Sequence, residues 1–175
     1  MTVEDANRIF SYIKPTLQRT AMSHPARIPF FTLAPANLKA MTGLSASVKQ
    51  SLLGVHLVEL IFLHVSQING CGMFVDMHWR DLMSQGADPR HLNALAGWRE
   101  APFFSARERA ALGWNEAVNA LPQQDHTNTA YVDLAQHFNP TEIAELSYAV
   151  AVIKGWNIIN LSLPNQIPEV PAPGF

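Results

Sequence analysis

Residues 55–86 read VHLVELIFLHVSQINGCGMFVDMHWRDLMSQG, and this stretch decides the fold. Its first half, Val55 to Ile68, carries Leu57, Leu60, Ile61, Phe62, Leu63 and Val65 and leaves almost no polar face, the pattern of a helix buried on all sides. Asn69-Gly70 ends that helix by a left-handed turn, and Cys71 opens a second one running to about Gln85, before Gly86. Two helices joined by so short a bend form an antiparallel hairpin. The chain's one cysteine sits at the bend, with Glu59 twelve residues before it and His78 seven after.

Those three residues carry the candidate chemistry. A cysteine at a helix N-terminus faces unpaired backbone N–H groups and the positive end of the helix dipole, which favours thiolate. His78 follows by close to two turns and falls near the same face, with Phe74 between. Glu59 lies about three turns before the bend and reaches the level of His78. A buried carboxylate without a partner costs several kcal/mol, so Glu59 needs one, and His78, His56 and Ser66 are the candidates. A carboxylate that orients an imidazole, beside a thiol or substrate that exchanges a proton with it, is a workable acid/base pair. Against this, a lone cysteine in an apolar chain is more often an inert small hydrophobe than a nucleophile. His56, Glu59, His64 and His78 lack HExxH or paired-cysteine spacing, so neither a metal nor a cofactor is expected.

Outward from the hairpin the elements continue as helices. Pro35 suits a first helical position, and Leu38, Met41, Leu44, Val48 and Leu52 follow at spacings of three and four; Gly43, inside this helix, suggests close packing. Before it, residues 2–13 form a short helix that Pro15 stops, and Ser23 to Ala34 is an extended arm whose Phe30, Phe31 and Leu33 are buried, with a neighbouring subunit as one possible cover. Asp88-Pro89 opens a helix to about Trp98, and Ser105 with Glu108 makes a capping box for one that Pro122 ends. A helix is expected from about Thr129 to Phe138, and Asn139-Pro140-Thr141-Glu142 caps a long apolar one to about Leu161. Trp98, Trp114 and Trp156 fall on apolar faces as core. No alternating strands appear, so the chain reads as all-α. Three parts follow: an N-terminal helix and arm over 1–34, a helical core over 35–163, and a Pro-rich tail over 164–175.

At 175 residues one domain is expected, removing roughly 70% of the unfolded surface from water. A composition 48% hydrophobic and 15% charged leaves apolar surface that subunit contacts would cover, so a homo-oligomer is expected. Twelve basic and fourteen acidic residues give a charge of -2 and no basic stripe, which argues against nucleic acid. Ile143 to Leu163 contains Glu145, Lys154, Asn157 and Asn160 and is no membrane span. Glu4 and Asp5 stand where a signal peptide would be basic, and one cysteine excludes an internal disulfide, so the cytoplasm is the expected compartment.

At the hairpin the sequence resembles the AhpD-like alkylhydroperoxidase branch of the carboxymuconolactone decarboxylase superfamily. The agreement covers Glu59, Val65 to Cys71 and Asp76-Met77-His78. It continues through Trp98-Arg99-Glu100, Pro102-Phe103-Phe104, Glu108-Arg109-Ala110 and Glu142-Ile143 to Trp156-Asn157, spanning about residues 35 to 160. The resemblance implies an all-helical domain with a central helix hairpin, assembled as a dimer, trimer or hexamer. It also implies a Cys-x-x-Cys pair that reduces hydroperoxide while a glutamate and a histidine relay protons. By position Glu59 and His78 match the relay and Cys71 the resolving sulfur, while Phe74 stands where the peroxidatic sulfur would be. Met73 occupies a place often aromatic, His64 one usually arginine, and Ile158 one where arginine commonly follows Trp-Asn. With Cys71, His78 and Glu59 as catalytic residues and Phe74, Met73 and Ser66 lining the pocket, three functions stand open. They are a one-cysteine peroxidase recycled by an external thiol, a cysteine-independent lyase or isomerase acting on a small lactone or acid, and a non-catalytic oligomeric or ligand-binding protein.

Overall fold

The computed structural model describes residues 27–165 and residue 167, so the helix expected over 2–13, the first four residues of the arm and most of the tail lie outside the described residues. Among the described residues there is no strand. Eight α-helices follow in order: α1 (Phe30–Leu33), α2 (Pro35–Lys49), α3 (Val55–Ile68), α4 (Gly72–Ser84), α5 (Pro89–Asn93), α6 (Ala106–Asn119), α7 (Thr127–Leu134) and α8 (Pro140–Ser162).

Helix α3 is the axis of the domain. Every residue from Leu57 to Ser66 is buried, because α4, α6 and α8 all pack against it, with α2 at its start. A helix apolar on all sides is stable only in such surroundings. Its end is a Schellman motif: Gly70 takes φ +70°, its N–H bonds Gln67 O at 3.2 Å, and the Cys71 N–H reaches back to Ser66 O at 2.9 Å. The same motif closes α4, where Gly86 at φ +83° and Ala87 bond Met83 O and Leu82 O at 3.0 and 3.1 Å. The hairpin is thus held by backbone geometry at both ends of α4.

Both capping boxes form. Ser105 and Glu108 exchange bonds at the start of α6, as do Asn139 and Glu142 at the start of α8, so each box pairs the N-cap and third N–H groups of its helix. Helix α8 runs along α2, α3 and α6 and buries Leu146, Val150, Ile153 and Trp156 against them. No helix among the described residues is long and apolar enough to cross a membrane.

Five expectations are corrected. Phe30–Leu33 is a helical turn rather than extended chain, and Leu33 is 67% exposed while Phe30 and Phe31 meet edge to face. The segment after Asp88 is not one helix to Trp98: α5 stops at Asn93 and a 3-10 turn covers Leu95–Gly97. That tighter winding places Leu92, Leu95 and Trp98, three apart, all in the core. Helix α7 begins earlier, at Thr127, because the Asp125 carboxylate accepts from the Thr127 N–H and hydroxyl. Gly43 packs against nothing, since a Cβ there would meet open space; Gly155 is the close approach, with Met41 Cε 3.2 Å from where its Cβ would lie. Of the three tryptophans, Trp98 and Trp156 are core, whereas Trp114 is half-buried and donates to Ser147.

Of the last described residues, Asn165 donates to Asn160 at 3.3 Å and Ile167 lies beside Gly72 at the start of α4.

A Cβ at Gly70 would meet no atom within 4 Å, so the cost of a side chain there is that of its left-handed backbone alone. Gly70→Ala should lower the unfolding free energy by about 1 kcal/mol, and Gly70→Asn by less. Urea unfolding checks this through a fall in the transition midpoint at constant slope.

Candidate functional site

Glu59 sits mid-way along α3 with 1% of its surface exposed, and two groups answer its charge. From α4, His78 Nδ1 lies 2.7 Å from Glu59 Oε2. From the last residue of α2, Lys49 Nζ lies 2.5 Å from Oε1 and 3.9 Å from Asp81 Oδ2. Burial pushes the Glu59 pKa up, but the His78 and Lys49 charges and hydrogen bonds outweigh it and bring it from 4.5 down to about 2. Glu59 is therefore a carboxylate at any physiological pH. A carboxylate only accepts, so His78 carries its proton on Nδ1, and Nε2 is the nitrogen left to do chemistry.

That nitrogen is sealed from solvent and has no hydrogen-bond partner. The imidazole is fixed between aromatic rings: Phe74 stacks on it with centroids 5.7 Å apart at 16°, and Phe62 tilts against it at 5.1 Å. Phe74 in turn leans on Trp156 at 6.1 Å, whose indole N–H donates to Ser45. Where the resemblance puts a peroxidatic sulfur, this chain has a ring packed on His78.

Cys71 lies apart from the pair in its bonding. Its sulfur is fully buried, with Asn160 Nδ2 donating to it at 3.3 Å, and the Glu59 and His78 hydrogen bonds go to each other and to Lys49. Ser66 is turned away from Glu59 and accepts from Asn157 at 3.1 Å. Asn157 belongs to an amide network in which Asn69 donates to it at 3.0 Å and exchanges bonds with Asn119, pinning the hairpin bend to α6 and α8. Met73 is buried beside the bend. His64, fifth after Glu59, faces Glu116 on α6 at 3.1 Å. Glu116 also accepts from Trp98 and Arg99; burial raises its pKa, but these bonds and that to His64 bring it down to about 2.

Lys49, Asp81, Asn157 and Asn160 are the site residues that sequence spacing did not assign. Lys49 comes from another helix and has no local signal. Asn157 and Asn160 did have one, because two amides in an otherwise apolar helix must find partners once buried. Glu59, His78 and Asp81 also have donor atoms within 4.8 Å of one another, a carboxylate–imidazole set of the kind that binds divalent ions. Lys49 already sets a cation between Glu59 and Asp81, which disfavours a metal there.

The fold and site together define an all-helical domain with a buried Glu–His pair across a central hairpin. Residues 35–117 match the model of the carboxymuconolactone decarboxylase family. A solved Agrobacterium tumefaciens protein, of unknown function and a candidate AhpD antioxidant defence protein, is 33% identical; the match covers 83% of this chain and 99% of that one, with a TM-score of 0.79. The uncharacterised protein YdfG of Bacillus subtilis is 29% identical over 80% of this chain and 95% of its own. A peroxidase-related protein of Silicibacter, 20% identical, shares the fold with a TM-score of 0.71 over 81% of this chain and 75% of that one. The chain belongs to the AhpD-like group of the carboxymuconolactone decarboxylase family.

Because the folded pKa of Glu59 lies below its unfolded value, its contribution to stability is complete above about pH 5 and is lost as pH falls toward 2. Glu59→Gln should cost about 3 kcal/mol at pH 7 and make the remaining stability less steep between pH 5 and 2. Denaturant unfolding of both proteins across that range measures it; parallel curves would contradict it.

Proposed function

We propose that this protein moves protons on a small organic substrate through His78 and Glu59, without a redox-active thiol. The state of His78 supports this most: Nδ1 is engaged with an ionised Glu59 at 2.7 Å, while Nε2 is buried and free of any hydrogen bond. An imidazole held this way can take a proton through Nε2 from a carbon or oxygen acid beside it and return it elsewhere on the molecule. Glu59 stabilises the imidazolium formed in between. Lys49 keeps Glu59 ionised throughout. The rings of Phe62 and Phe74 offer flat apolar contact, which suits a small lactone or unsaturated acid, the kind of compound named in the family's decarboxylase.

A peroxidase reading has separate support. Cys71 stands at the N-cap position of α4, its sulfur accepts a hydrogen bond from Asn160, and the A. tumefaciens relative is a candidate antioxidant protein. In that chemistry the Cys71 thiolate takes one oxygen from a hydroperoxide, giving a sulfenic acid and an alcohol, and an external thiol reduces it back. The Phe74 ring, which stands where the resemblance puts the peroxide-reacting sulfur, weighs against it.

Turnover of a panel of small lactones and unsaturated acids, followed by proton exchange at carbon, separates the two. Cys71→Ala should stay within about twofold of the native rate, and His78→Gln should lose a factor of about 10² to 10⁴. In parallel, intact mass after stoichiometric peroxide should show Cys71 oxidising no faster than free cysteine. Rapid oxidation at Cys71, with peroxide turnover lost in Cys71→Ala, would establish the peroxidase instead.

A further inference from the structure

Near the N-terminal end of the helix that carries Glu59 the structure assembles a second set of histidines and a carboxylate. His56 in the first turn of α3, His91 in α5 and Glu108 in the first turn of α6 have donor atoms within 4.8 Å of one another, and all three are half-buried. Sequence spacing gives no sign of them, because the three come from separate elements. Two imidazoles and one carboxylate are the donor set of divalent zinc sites with three protein ligands.

The local chemistry leaves these donors unused by anything else. His91 Nε2 is shielded from solvent and makes no hydrogen bond, and Glu108 Oε1 stands 3.8 Å away, too far to be its acceptor. The other oxygen of Glu108 is committed: Oε2 accepts from the Ser105 N–H and hydroxyl, each at 2.8 Å. The capping box thus fixes the carboxylate by one oxygen and leaves the second beside His91, as outer partners do for metal-bound carboxylates. The His91 ring is held against Phe104 with centroids 4.3 Å apart. Phe104 belongs to a loop tied down by Arg109, which donates to the carbonyls of Trp98, Arg99, Ala101 and Phe104. Tetrahedral zinc bound at about 2.0–2.1 Å needs donors roughly 3.4 Å apart, so side-chain rotations of about an ångström would close the set.

We propose that His56, His91 and Glu108 bind one divalent transition-metal ion, Zn²⁺ by ligand type, which ties the start of α3 to α5 and the start of α6. The ion is structural and separate from the proton-transfer pair, since none of its ligands bonds Glu59 or His78.

Chelator-treated full-length protein titrated calorimetrically with ZnCl₂, and with Co²⁺ followed by visible absorption, tests this. One equivalent should bind, with the absorption of four-coordinate cobalt, and Zn²⁺ should raise the melting temperature. His91→Asn and His56→Asn should each weaken binding at least tenfold. Glu108→Gln should do the same while remaining folded, since glutamine at that position keeps the capping box. His78→Gln and Asp81→Asn should bind as the native protein does. Absence of stoichiometric uptake would overturn the assignment, as would uptake unchanged in His91→Asn or lost in Asp81→Asn.

Discussion

A carboxylate in the middle of a helix buried on every side is the constraint around which this molecule is arranged. Glu59 could not remain ionised there without partners, and the two it has come from different directions: the Lys49 ammonium from the end of α2 and the His78 ring nitrogen from α4. The ion pair therefore does more than neutralise a charge, because it fixes where α2 ends and how α4 lies on α3. It also settles the histidine's tautomer. A buried imidazole given no such partner would leave its two nitrogens undistinguished, whereas here Nδ1 is committed to Glu59 and Nε2 makes no hydrogen bond.

Phe74 shapes what the site is suited to. In this chain the residue three after Cys71 is an aromatic ring stacked on His78 and supported by Trp156, so the histidine's surroundings are apolar on two sides. Low polarity strengthens the Glu59–His78 interaction and disfavours stray water. Cys71, meanwhile, joins the polar seam of α8, where Asn157 and Asn160 bond to the hairpin bend. The hairpin thus holds two separate hydrogen-bond systems, an ionic one between its helices and one rich in neutral amides at its bend.

Much of the fold was legible because its signals are local. Gly70 and Gly86 mark the left-handed ends of α3 and α4, and Ser105 and Asn139 mark the starts of α6 and α8, each within four residues of the partner that makes the motif. What could not be read is held by groups far apart in the chain. Lys49 and Glu59 meet only because α2 and α3 turn back on each other, and Asn160 reaches Cys71 across 89 residues. Trp98 was foreseen as core, but not the 3-10 turn before it, since a spacing of three fits either winding. Gly43 misled for a related reason: a glycine inside a helix signals close packing only if a neighbour comes near, and none does.

Helix α3 presents a different commitment on each side. Glu59 addresses α2 and α4, His64 addresses Glu116 on α6, and Ser66 and Asn69 address α8 and α6. Successive residues of a helix are set about 100° apart, so these assignments are locked to one another by rotation as well as by height. A single insertion or deletion between Glu59 and His64 would swing every later contact to the wrong neighbour, including the network at the bend. Length changes in this family should therefore collect in the segments between helices, while the residue count of α3 stays fixed.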